Sequence, residues 1–202
     1  MDRVARIERE GPERRSRPYL RQAMDGFLRG DARLVRGAQA GSVAEFERLF
    51  EAHWPRAYRA AYLVVHDGAA AEDIAQEAFL AAIRTLDRFD RRRPFGPWLH
   101  RIVVNRAIDW ARGRTLRAEV GEPALELAAE TTTSGGAPFS QPVLAALADL
   151  SPEHRAVIVL RHLLEYTPGE IARMLDLPRG TVNSRLRRGL DELAERLEGE
   201  RT

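Results

Sequence analysis

Residues 167–197 read TPGEIARMLDLPRGTVNSRLRRGLDELAERL, and this stretch decides the architecture. Thr167 followed three positions later by Glu170 is the spacing of a capping box, in which side chains and backbone N–H groups pair reciprocally to open a helix. The helix it opens, EIARMLD, is short; Leu177-Pro178-Arg179-Gly180 breaks the chain, and a longer helix begins at Thr181. In that second helix Val182, Leu186, Leu190, Leu193 and Leu197 form one apolar stripe, which leaves Asn183, Ser184, Arg187 and Arg188 outward and Arg185 at the flank. Helix, turn, helix is the arrangement that lays its second helix in the major groove and aims its N-terminal side chains at base edges. Arginine bonds bidentately to guanine, asparagine to adenine, and threonine or serine to phosphate or base. Arg179, Thr181, Asn183, Ser184, Arg185, Arg187 and Arg188 place those types in one short stretch. The competing reading is an ordinary helical hairpin with an arginine-rich solvated face.

Working upstream, Ser151-Pro152 is an N-cap followed by proline at the first helical position, with Val157, Ile158, Leu160, Leu163 and Leu164 apolar behind it. Val143 to Asp149 is a further helix. The segment before it, AEVGEPALELAAETTTSGGAPFSQP over 118–142, holds a run of small polar residues, glycine and proline that buries little and reads as a flexible linker. A helix from about Pro97 to Arg112 lies before the linker. At ~100° per residue, Trp98, Arg101, Asn105, Asp109 and Arg112 fall within an arc of about 80°, while Leu99, Val103 and Trp110 point the other way. One face is core and the other a reading surface, with Arg91, Arg92 and Arg93 in the loop that leads into it.

Earlier still, Ser42 with Glu45 has capping-box spacing, and Phe46, Leu49, Phe50, Trp54, Ala57, Tyr58, Ala61 and Tyr62 recur at helical intervals until His66-Asp67-Gly68 ends the run. The next helix, about Ala70 to Leu86, buries Ala75, Phe79, Ala82, Ile83 and Leu86 and carries Asp73, Gln76, Glu77 and Leu80 on its other side. Residues 1–30 are arginine-rich with little apolar periodicity and read as a mobile tail. No period-two strand pattern occurs, so the fold class is all-α, with no internal repeat.

Composition bounds the function. With 202 residues, 44% apolar and 31% charged, the chain suits one or two small globular domains and excludes a large catalytic barrel. No run approaches the roughly 18 apolar residues of a membrane span, and the N-terminus lacks the apolar core of a secretory signal, which predicts a cytoplasmic protein without membrane insertion. The absence of cysteine excludes disulfides, thiolate zinc sites and a cysteine nucleophile. His100 and His154 read as isolated helix residues rather than ligands, and no cofactor is called for.

Net charge is only +2, so its placement carries the information. Residues 66–83 hold Asp67, Glu72, Asp73 and Glu77 without an arginine, whereas arginines crowd 84–117 against Asp87, Asp90 and Asp109. The segment 118–150 is acidic, and 179–188 is again purely basic. Two basic islands flanking an acidic spacer match contact with a polyanion at two places. The stripe Asp73, Gln76 and Glu77 admits three readings: a solvated face, a docking surface for a partner, or carboxylates sharing a metal.

Three runs taken together, AAAEDIAQEAFLAAIRTLDRF (69–89), PFGPWLHRIVVNRAIDWARGR (94–114) and LSPEHRAVIVLRHLLEYTPGEIARMLDLPRGTVNSRLRRGLDEL (150–193), resemble the extracytoplasmic-function (ECF) sigma factors of the bacterial sigma-70 family. The resemblance implies two small helical domains: 31–117, like sigma region 2, and 142–202, like region 4, joined by a linker over 118–141. It implies an RNA polymerase sigma factor, not an enzyme, that brings core polymerase to promoters and promotes strand opening. Asp73, Gln76, Glu77 and Leu80 would then dock on the polymerase clamp. Arg91, Arg92, Arg93, Trp98, Arg101, Asn105, Asp109 and Arg112 would engage the minus-ten element, with bases of the nontemplate strand captured in a pocket. The residues of the second helix named above would read the minus-thirty-five element. Further partners implied are the polymerase flap and an anti-sigma factor. Asn183 stands where the family often has lysine or another basic residue, and Pro168-Gly169 where it usually has more polar helix formers. A stand-alone helix-turn-helix regulator is the rival reading, and it leaves the acidic stripe unexplained; a recombinase-like DNA-processing enzyme would need activated neighbours that Ser42, Tyr58 and Tyr62 lack in sequence.

Overall fold

Small side chains bring the first three long helices together. Ala57, Ala60 and Ala61 of α2 (Val43–Val65), Ala71, Ala78 and Ala82 of α3 (Gly68–Thr85) and Ala107 of α4 (Phe95–Glu119) are all fully buried. Alanine at a helix crossing lets the two axes approach at the short end of the usual range. Larger groups, Leu49, Leu63, Phe95, Leu99 and Val103, fill the space between. A short helix α1 over 30–39 precedes this bundle and sends Val35 into the same core. The computed structural model describes residues 30–119 and 140–199, which contain helices and turns and no strand. The expected tail and most of the expected linker lie outside the described residues.

Local chemistry sets the boundaries. Ser42 Oγ accepts from the N–H of Glu45 at 3.3 Å, but the Glu45 carboxylate turns to Arg33 and Arg48, so only half of the expected capping box forms there. Helix α2 runs on through Pro55 and ends at His66, whose left-handed φ of 53° returns its N–H to the Tyr62 carbonyl. Asp67 then caps α3, accepting from the N–H of Ala70 at 2.9 Å. A turn of 3-10 helix, Leu86–Arg88, closes α3. Helix α4 begins two residues before and ends seven residues after the span read from sequence.

The second half contains α5 (Gln141–Ala148), α6 (Pro152–Ile158), which continues as a π-helical turn over Val159–Leu163, α7 (Pro168–Leu175) and α8 (Arg179–Gly199). At Thr167 the capping box is complete. Leu147, Leu160, Ile171 and Val182 form the core of this half. Helix α8 packs on α6 through Gly189, where a Cβ would lie 3.1 Å from the Cβ of His154 and 3.0 Å from Ile158 Cδ1. The stripe on α8 therefore runs Val182, Leu186, Gly189 and Leu193, while Leu190, expected in it, is 39% exposed. Beyond each half's own core, α2 and α4 pack against α6, and α4 against α7, so the buried residues of both halves are continuous.

Candidate nucleic-acid interface

The two helices of the helix-turn-helix are joined by Asp176, in a left-handed conformation at φ 53°, and by Leu177 and Pro178. Helix α8 starts at Arg179, two residues earlier than expected, because the Pro178 carbonyl already accepts from the N–H of Val182 at 3.2 Å. Arg179, Asn183, Arg187 and Arg188 are exposed; Thr181, Ser184 and Arg185 are half-buried. Ser184 gives its hydroxyl proton to the Thr181 carbonyl at 3.0 Å. Val182 and Leu186 anchor the opposite side at 0% and 9% exposure, which fixes the rotation of the helix and presents the arginines to solvent.

The second basic surface combines the loop after α3 with α4. Arg91, Arg92 and Arg93 are exposed and, together with Val35, Phe89 and Phe95, line a cavity of about 250 Å³. Its walls are apolar and its rim is cationic. Asp31 also borders it, but that carboxylate is turned to His53 Nε2 at 2.9 Å. Trp98, expected on the reading face, is half-buried, its ring 4.6 Å from Phe89 and 5.6 Å from Phe95. Arg101 and Asp109 are exposed on α4 and Asn105 is half-exposed between them. Arg112 ends the row, donating from Nε to Glu153 of α6 at 2.7 Å. Burial, the largest single influence, pushes the Glu153 carboxyl upward, but the hydrogen bond from Arg112, a backbone hydrogen bond and the charges of Arg112 and Arg185 together outweigh it and hold the group below the usual range.

On α3, Asp73, Gln76, Glu77 and Leu80 are all exposed on one face. Ile83, expected in the core stripe, is 46% exposed beside Leu80 at 49%, so the acidic stripe has an apolar end. The signal was the spacing of three between Leu80 and Ile83, which puts both on the same side of a helix. Arg106 of α4, which sequence reasoning passed over, is ion-paired with Glu77. Among the described residues no cluster of metal-ligating side chains accompanies the stripe.

Comparison with known proteins supplies the deciding observation. The sigma-70 region 2 family matches residues 49–117, and the sigma-70 region 4 family matches residues 140–193. The ECF RNA polymerase sigma factor SigW of Bacillus subtilis is 31% identical, over 81% of this chain and 94% of that protein. The chain belongs to the ECF sigma factors of the sigma-70 family. A second relative, the ECF sigma factor SigM of Mycobacterium tuberculosis, is 33% identical over 84% of this chain and 85% of its own length. Among solved structures, CnrH, determined in complex with the cytosolic domain of CnrY, superposes with a TM-score of 0.62 at 28% identity, covering 84% of this chain and 98% of CnrH. RpoE of Bartonella quintana, solved with the anti-sigma factor NepR, shares the fold with a TM-score of 0.63 at 24% identity over 77% of this chain and 98% of RpoE. This ECF sigma factor is therefore an RNA polymerase sigma factor, a transcription initiation factor that binds core polymerase and promoter DNA. Both halves carry a sigma region, which a stand-alone helix-turn-helix regulator would not. No helix among the described residues is long and apolar enough to cross a membrane.

Proposed function

We propose that the three exposed surfaces divide the work of initiation. Helix α3 docks on the polymerase clamp through Asp73, Gln76, Glu77 and Leu80, with Ile83 extending the contact. An acidic stripe ending in two exposed aliphatic side chains suits a partner surface that is basic with an apolar pocket, and a solvated face has no use for Leu80 and Ile83. The α4 surface, Arg91, Arg92, Arg93, Trp98, Arg101, Asn105, Asp109 and Arg112, takes the minus-ten element. The cavity behind Arg91–Arg93 receives a nontemplate base that has left the stack. Its apolar walls shelter a base from water and its arginines offer phosphate contacts, which offset the few kcal/mol that unstacking costs. Helix α8 reads the minus-thirty-five element as duplex through Arg179, Thr181, Asn183, Ser184, Arg185, Arg187 and Arg188.

The observation that carries this reading is the segregation of one acidic-apolar face from two basic ones on separate helices. The protein works in the cytoplasm, contacts the polymerase flap through its second half, and is bound by an anti-sigma factor; RpoE of Bartonella quintana was solved in complex with one, NepR. Permanganate footprinting of promoter complexes tests the assignment of α4: Asn105→Ala should leave initial binding largely intact while reducing strand opening. Equal loss of both would contradict it.

A further inference from the structure

Helix α1 lies upstream of the residues that match region 2, yet it forms one wall of the cavity behind Arg91–Arg93, through Asp31, Ala32 and Val35. It is fastened at both ends. At its start the Asp31 carboxylate accepts from His53 Nε2 of α2 at 2.9 Å, and the two side chains are 5% and 1% exposed. His53 in turn backs the first turn of α4: a Cβ on Gly96 would lie 3.2 Å from His53 Cε1, and the His53 ring centre is 5.1 Å from that of Phe95, another wall of the cavity. At the other end of α1, Gln39 donates from Nε2 to the carbonyls of Leu86 and Phe89, at 2.8 and 3.0 Å. Both amide protons are used. These carbonyls follow the end of α3, where a helix leaves its last C=O groups without intrahelical partners. One amide side chain therefore ties α1 to the root of the arginine loop. The loop keeps its own shape, since Asp90 accepts from the N–H of Arg92 at 3.0 Å through its carboxylate and from the N–H of Arg93 at 2.9 Å through its carbonyl. Its distance from α1 is set at Leu86 and Phe89, where Gln39 holds it.

We propose that Gln39 and the Asp31–His53 pair are positioning residues of the minus-ten site: they fix the width of the cavity between α1 and the arginine loop, and so decide which base it accepts. This role rests on the reading that the cavity receives a nontemplate base. The size suits one, at about 250 Å³, where roughly 150 Å³ already admits a benzene ring. A space with apolar walls selects among bases by fit, because a purine exceeds a pyrimidine by a ring, and fit requires walls that do not yield. A buried histidine–carboxylate bond and an amide bridging two carbonyls hold the two ends of one wall. Gln39 and His53 do not line the cavity, so they act through Val35, Phe89 and Phe95 rather than by contact with the base.

The test uses holoenzyme reconstituted from the full chain and core RNA polymerase, on a promoter it selects from genomic DNA, with the minus-ten and minus-thirty-five positions randomised. Sequencing the templates held in heparin-resistant open complexes gives the base preference at each position. Gln39 is half-exposed, so Gln39→Ala tests the site without emptying the core. It should lose most of the roughly tenfold or greater preference that a recognised position carries, at one minus-ten position only, with the minus-thirty-five preference and retention on core polymerase unchanged. His53→Leu should do the same, and His53→Gln, which keeps an N–H donor near the place of Nε2, should restore the preference. Variants that melt at lower temperature yet keep the wild-type base profile would show a purely structural role and overturn the proposal, as would an equal loss of preference at every position. Ala32→Phe, which fills the cavity, separates the two levels. An unaltered profile for that variant would mean that the cavity takes no base, and base capture and positioning fall together; a changed profile there, with Gln39→Ala silent, would leave base capture standing and overturn the positioning role.

Discussion

Arg106 of α4 is ion-paired with Glu77 of α3, so the helix proposed to hold the polymerase is tied to the helix proposed to hold the promoter. Both side chains are substantially exposed, at 39% and 60%, and a pair so solvated contributes at most about 1 kcal/mol to stability. Arg106→Ala should therefore leave the melting temperature nearly unchanged. Glu77→Arg places like charges together and reverses the sign of the proposed docking face. Retention on immobilised core RNA polymerase should be lost for Glu77→Arg; full retention would remove α3 from the polymerase contact.

Helix α8 makes a separate prediction about duplex DNA. Arg187→Ala or Arg188→Ala should weaken promoter binding by about 1 to 3 kcal/mol where the contact is to a base, and should lower the salt slope by about one where it is to a phosphate. Fluorescence anisotropy across a salt series distinguishes the two. Unchanged affinity in both variants would take α8 out of the reading role.

Gly189 tests the packing that orients α8. Alanine there gains up to about 1 kcal/mol of helix propensity, but its methyl group would stand 3.1 Å from the Cβ of His154, which cannot swing aside as a flexible chain end can. Overpacking of this kind costs about 1 to 3 kcal/mol. A net loss of about 1 kcal/mol in denaturant unfolding is expected for Gly189→Ala, and stabilisation would contradict the close approach of α6 and α8.

Histidines make stability depend on pH. Burial, with His53 and Arg56 nearby, lowers His100 to about 3; burial, then Arg155, lowers His66 to about 4. Both groups are neutral in the folded chain and ionise at about 6.5 when it unfolds. Their contribution is complete above that pH and is lost as pH falls toward 4 and 3, at up to roughly 1.4 kcal/mol per pH unit for each. Urea unfolding at about pH 7.5 and about pH 5.5 should show the lower stability at the lower pH. Equal stability at both would contradict the burial of these rings.

Much of the fold was legible because its signals are local. Thr167 and Glu170 cap a helix from three residues apart, and His66-Asp67-Gly68 ends one helix and begins the next within a single turn. Periodicity failed where the neighbour across the groove decides the outcome. Ile83 and Leu190 repeat correctly for a core stripe, yet no neighbouring helix covers them and they stay 46% and 39% exposed. Ser42 has capping-box spacing, but Glu45 has arginines closer to hand. The row Arg101, Asn105, Asp109 and Arg112 emerged from angular arithmetic alone, whereas the cavity beside it depends on Val35 of α1 meeting Phe89 and Phe95 from afar. The contact between the halves was invisible for the same reason: His100 and Tyr166, which share a hydrogen bond there, are 66 residues apart and neither belongs to a motif.

The central claim is that this chain confers promoter selectivity on the polymerase. In vitro transcription with reconstituted holoenzyme on a fragmented genomic library, followed by sequencing of RNA 5′ ends, measures it directly. The account predicts start sites concentrated downstream of a shared pair of upstream elements, and lost with Glu77→Arg. Start sites no more selective than those of core polymerase alone would contradict it.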